Sequence, residues 1–309
     1  MGHLLSHLFE PGLLSSGPVR VAALVGTVVA ITSGVVGVFT VTRGQSFAGH
    51  ALADVATTGG SGAFLVGLNQ FWGFLAFGIG TAALLEVIGV QRRRGRDVAT
   101  GVVLGAALGL AALFLYLGSA TTSTTGASFT VLFGSMFVIA PGTVPALVAS
   151  GLIALAVVVL LSRVLLLSSL SPDIAAARGV PVRAVGAAYL IALAVSVSLS
   201  AVAIGAVLST ALLIGPAATA LRVARGPVRA MAVAAVTGVL ATWLGILLAY
   251  DSYYWPPRGH GWPVSFFIVA FVALFYLLTY LRRPAPAAAG TAARAGDRPA
   301  EEGACSAAS

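Results

Sequence analysis

Two side chains inside an otherwise apolar stretch are equipped for chemistry. His50 and Asp54 stand four apart between residues 47 and 68. On a helix that spacing puts both on one face, one turn apart. An imidazole beside a carboxylate is part of the ligand shell that a divalent transition metal prefers. Two ligands do not close a tetrahedral site. A second copy of the chain across a two-fold axis would supply another pair, and a cation in passage needs only an open, weakly held site. The same two groups can instead satisfy each other near the membrane face, because Arg43 lies only about two turns before His50. Thr57, Thr58 and Gly59 follow in the small polar run ATTGGSG. Such residues either line a watered path or let helices approach closely.

Other candidates are sparser. Glu86 is the remaining carboxylate within an apolar stretch, six residues before Arg92. It reads as snorkelling toward the arginine loop or pairing with it. The segment SPDIAAARGVP (171–181) is punctuated like a short helix of about two turns. Ser171 or Asp173 can cap its start, Pro172 suits its first turn, and Gly179 suits its stop. Ala176 and Arg178 complete a surface that either docks into a partner's groove or merely connects two spans. His3 and His7 read as solvated, beside a short interfacial helix marked by Leu4, Leu5, Leu8 and Phe9. The loop 250–262 is rich in Tyr and Trp, which anchor at a membrane interface.

The elements that must position these groups follow from composition. Of 309 residues, 59% are hydrophobic and 8% charged, whereas soluble domains carry about 25% charged residues. Such a chain cannot cover a water-facing surface, so a soluble enzyme or a nucleic-acid-binding domain is excluded. The expected class is all-α, a polytopic helical membrane protein of about nine transmembrane segments. The spans are placed near 19–42, 47–68, 71–90, 98–117, 143–167, 183–202, 203–221, 229–250 and 263–281. The run 183–221 reads as two crossings or a crossing with a re-entrant hairpin, broken at Gly205 and at Gly215-Pro216. The piece 128–140 is too short to span and is expected to dip in from the interface.

Seventeen basic residues, all arginine, stand against nine acids. They fall in short runs between apolar stretches, foremost QRRRGRD (91–97), and mark cytoplasmic ends. Nine spans satisfy them with the N-terminus outside and the C-terminus inside. The domains are then an interfacial segment at 1–17, a transmembrane domain at 18–283, and a disordered cytoplasmic tail at 284–309 rich in Ala, Pro and Gly. The single Cys305 lies in that tail, which rules out an intrachain disulfide.

Several stretches together resemble the permease subunits of ABC importers for zinc, manganese or iron. They are RGQSFAGHALADVATTG (43–59), DVATGVVLG (97–105), SPDIAAARGVPV (171–182) and AIGAVLSTALLIGPAATA (203–220), in order from about residue 18 to 282. The resemblance implies that 171–182 is a coupling helix and that Gly215-Pro216 belongs to a Gly-rich span. It implies that the residues at 50 and 54 line a metal pathway. The family's usual order there is Asp then His, so the two ligand types are exchanged in this chain. Thr57-Thr58-Gly59 stands where the family has Leu-Pro-Gly, and Ala53 where it has Ser.

The function so implied is the bacterial plasma-membrane permease of an ATP-driven importer of a divalent metal. No cofactor is expected in this chain, and the metal is cargo. No G-x-x-x-x-G-K-[ST] phosphate loop occurs in the sequence, so ATP belongs to a separate cytoplasmic ATPase. The other expected partners are an extracellular metal-binding protein, a second permease copy and membrane lipid, with no nucleic acid. Competing readings are a permease for a non-metal cargo, an ATP-independent carrier and a non-transporting scaffold.

Overall fold

The computed structural model describes residues 16–88, 96–122, 126–134, 136–254 and 261–281. Within them the chain forms helices α1 (Gly17–Thr42), α2 (Ser46–Leu65), α3 (Gln70–Ile88), α4 (Arg96–Thr122), α5 (Gly126–Phe133), α6 (Val144–Leu170), α7 (Pro172–Ala177), α8 (Val182–Ile204), α9 (Ser209–Val223), α10 (Pro227–Asp251) and α11 (Val264–Leu281). Each of the nine apolar stretches read from the sequence holds one of these helices. α5 and α7 are the short extra pieces. By length and composition, five stretches are apolar and long enough to cross a bilayer: Gly17–Thr42, Pro141–Ser169, Val182–Ile204, Pro227–Asp251 and Val264–Leu281. Leu104–Ala120 and Ser209–Val223 are shorter apolar helices. α2 and α3 fall outside both groups, and α2 carries His50, Asp54 and the polar run after them. The N-terminal segment to residue 15, the loop at 89–95, the residues 255–260 with Arg258 and His260, and the tail from 282 lie outside the described residues.

α1 and α8 form the buried centre. They run antiparallel, because Thr40 meets Tyr189 near one end and Ser33 meets Ser200 further along. α10 lies antiparallel along the other side of α1, with Gly34 against the Ala234 backbone and Gly26 against Thr242. α2 and α3 make a hairpin whose crossing is Gly59 on Gly73; a Cβ on either would collide with the other's carbonyl oxygen. Small residues at such crossings allow the close backbone approach that stands in for hydrophobic driving force in lipid.

The stretch 183–221 resolves into a turn-back. α8 ends at Gly205, whose φ of +91° only glycine adopts freely. α9 then runs the opposite way to α8, parallel to α11, with Gly215 against Val272 and Arg222 against Tyr280. The break is held by α5. The N–H groups of Ala206 and Val207 donate to the Val131 and Leu132 carbonyls at 3.2 and 3.3 Å. Gly134 and Gly205 touch backbone to backbone there. The piece 128–140 therefore packs inward, with Val131 and Met136 buried.

These orientations sort the charges. Arg43, Arg96, Arg178, Arg183, Arg222, Arg225 and Arg229 lie at one end of the bundle, and Arg163 about two turns inside it. Among the described arginines only Arg20, in the first turn of α1, stands at the other end. The last turn of α11, at Leu281, is on the arginine-rich end.

Candidate metal-pathway site

α2 starts just after the arginine-rich end and carries His50 and Asp54 on its second and third turns. His50 Nε2 stands 3.6 Å from Asp54 Oδ2. The histidine side chain is 51% exposed and the aspartate 16%. Leu52 and Ala53 of the same turn point into the core. The pair is thus open on its histidine side, while the aspartate is largely covered by its own chain.

The stripe continues upward. Positions 50, 54, 57 and 61 share one helical face. Thr57 and Ser61 are buried, and each hydroxyl donates to its own helix, to the Ala53 and Thr58 carbonyls at 2.7 and 3.0 Å. The face is therefore open at the His–Asp pair and covered two turns above it. Thr58 and Gly59 do not join it. Thr58 donates to the Ala107 carbonyl of α4 at 2.7 Å. Gly59 is the α3 crossing. Ser61 is the stripe residue that the sequence reading left unassigned; its signal was the spacing of eleven from His50.

Chemically, the pair offers one imidazole nitrogen and one carboxylate. No group of three or more His, Cys, Asp or Glu occurs among the described residues. A cation here would take two protein ligands from one copy and complete its shell with water or a second copy. Glu86 is not part of this site. It lies on α3, with its carboxylate near Gly186 of α8.

Gly215 and Pro216 do not reach the pair either. Pro216 sits buried inside α9, which continues through it. Thr219 donates to the Gly215 carbonyl at 2.8 Å.

The second candidate surface lies at the arginine-rich end. α7 is six residues long, with Pro172 in its first turn. Ser171 occupies the capping position, but its side chain makes no capping bond, and neither does Asp173 take that place. The stop is as read: Gly179 has φ +77°. Ala175 is fully buried and seats the helix against α6 and α8. Asp173, Ala176, Arg178 and Gly179 are exposed. Ile174, which the sequence reading did not single out, is 51% exposed.

Comparison with known proteins decides the family. A profile of the ABC 3 transport family matches residues 18–281. The chain belongs to that family. The chain is similar to the manganese import system permease protein ScaB of Streptococcus parasanguinis, 28% identical over 276 residues, which are 89% of this chain and 94% of that one. The manganese transport system membrane protein MntC of Halalkalibacterium halodurans is 30% identical over 246 residues, 79% and 83% of the two chains. A solved structure, PsaBC from Streptococcus pneumoniae in complex with Fab, superposes with a TM-score of 0.69 at 26% identity, covering 87% of this chain and 93% of that one. The helical membrane architecture expected of this ABC permease is therefore a shared one.

Proposed function

We propose that this chain is the permease of an ATP-driven importer whose cargo is a divalent transition metal, with manganese, the cargo named for its relatives, as first choice. The observation that carries the reading is the His50–Asp54 pair on the open part of the α2 stripe. The nine long helices each cross the membrane, so that the arginine-rich end and the C-terminus face the cytoplasm and Arg20 faces outside. Two copies line the path and bring two His–Asp pairs toward one axis. A separate ATPase grips α7 from the cytoplasm and drives alternating access by rigid-body switching. An external binding protein delivers the cargo.

The test is uptake of radioactive manganese by bacteria whose only copy of the gene is altered. His50→Ala lowers uptake at least about tenfold, the scale on which losing a metal's supporting interactions acts, while membrane insertion is unchanged. Competition by zinc or iron ranks the cargo. Unaltered manganese, zinc and iron uptake in His50→Ala and Asp54→Asn favours a non-metal cargo. Asp173→Ala should lose co-purification with the ATPase; retained co-purification contradicts the docking role.

A further inference from the structure

The cytoplasmic ends of α9, α10 and α11 converge on a patch apart from the His50–Asp54 stripe and from α7. Arg222 lies in the last turn of α9, Arg225 in the joint, and Arg229 in the first turn of α10. All three are exposed. From residue 216 to 250 the sequence has no acidic residue, and α11 has none. Among the described residues, none of the three is paired with a carboxylate; the ion pair found there is His50–Asp54. Arg282 and Arg283 follow directly after α11 in the sequence.

Two tyrosines of α11 fix the geometry. The Arg222 guanidinium stands 3.7 Å from the Tyr280 ring centroid and 5.7 Å from that of Tyr276. The rings themselves meet edge to face at 5.5 Å. Cation–π contact of this kind holds an arginine in place at a wet boundary. Beside the arginines the surface turns apolar: Val223, Val228, Leu277, Leu278 and Leu281 are all exposed. Cationic heads at the membrane edge above bare aliphatic side chains match a molecule with a phosphate head and an acyl tail. α7, the candidate docking helix, sits elsewhere, against α6 and α8.

We propose that the junction of α9, α10 and α11 is a binding site for an anionic phospholipid of the inner leaflet, its phosphate held by Arg225 and Arg229 and its chains lying along Val228 and the last turns of α11. The proposal rests on the membrane reading of the fold and not on the nature of the cargo. Each arginine at an anionic surface contributes roughly a fivefold gain in affinity, so two contribute about twenty-five-fold.

The experiment is native mass spectrometry of the full detergent-purified chain titrated with phosphatidylglycerol or phosphatidylcholine. Phosphatidylglycerol should bind in preference, and Arg225→Gln/Arg229→Gln should weaken it about twenty-five-fold. Arg163→Gln, which removes an exposed arginine on α6, should leave binding as it was. A chain truncated after residue 283 should also keep it, which separates lipid from the acidic residues of the tail. Equal binding of phosphatidylcholine overturns the proposal, as does equal loss in Arg163→Gln. So does displacement of the lipid by inorganic phosphate alone, which marks a simple anion site. Unchanged lipid binding with loss of ATPase co-purification in the double variant overturns it in favour of a protein surface. None of these readouts depends on metal uptake, so failure here leaves the transport reading standing, and the reverse.

Discussion

Two polar regions lie at neighbouring places in the bundle and behave in opposite ways. Along the α1–α8 seam every described hydroxyl finds a partner. Ser33 bonds Ser200 at 2.7 Å and Ser196 at 3.2 Å, Thr40 bonds the Tyr189 hydroxyl at 2.8 Å, and Thr32 reaches the Gly151 carbonyl of α6 at 3.3 Å. All of these side chains are fully buried. On the α2 stripe, His50 and Asp54 have each other at 3.6 Å and an open side. Neutral hydroxyls in lipid are cheap to satisfy and join helices together. An ionisable pair is costly there and persists where it has work to do. The seam ties helices together; the stripe carries the imidazole and carboxylate that the proposed cargo would meet.

The change that breaks this contrast most severely is Gly59→Leu. Gly59 is on the face of α2 opposite the stripe, where a side chain would strike the Gly73 carbonyl and Phe77. The α2–α3 hairpin should lose about 3 kcal/mol or more, seen as aggregation and a lowered melting temperature in detergent. A chain that melts normally would mean the crossing is looser than described. Next comes Tyr189→Phe, which removes the hydroxyl that bonds Thr40 across the seam at 2.8 Å and leaves Thr40 its bond to the Val36 carbonyl of its own helix at 3.0 Å. The loss should be about 1 kcal/mol, measured by unfolding in mixed detergent, with metal uptake preserved. The smallest effect is that of Ser33→Ala. One interhelical hydroxyl bond is worth about 0.6 kcal/mol on average in a membrane bundle, and Ser200 keeps its bond to the Ser196 carbonyl of its own helix at 3.0 Å. A large uptake defect in Ser33→Ala would erase the distinction between seam and stripe.

The sequence foretold much of this unevenly, for physical reasons. Hydropathy located the helices, because lipid demands apolar length. Arginine positions foretold which ends gather together, and Gly179 foretold where α7 stops. The turn-back at Gly205 was narrowed to two alternatives by Arg183 and Arg222, which had to share a side. Partner choice was not legible. Periodicity puts Thr57 and Thr58 both near His50, but only the packing of α4 shows that Thr58 is drawn away to Ala107. Gly59 was read as either path lining or a close helix approach, and it is the helix contact, since a glycine's role depends on what approaches it. The capping role read for Ser171 also failed. Its side chain makes no bond to the start of α7.

The most direct measurement compares Asp54→Asn with Ser33→Ala in one manganese-uptake assay, each normalised to the amount of permease in the membrane. The account predicts that Asp54→Asn falls at least about tenfold while Ser33→Ala matches the unaltered chain. Equal uptake in both, or a deficit confined to Ser33→Ala, would contradict it.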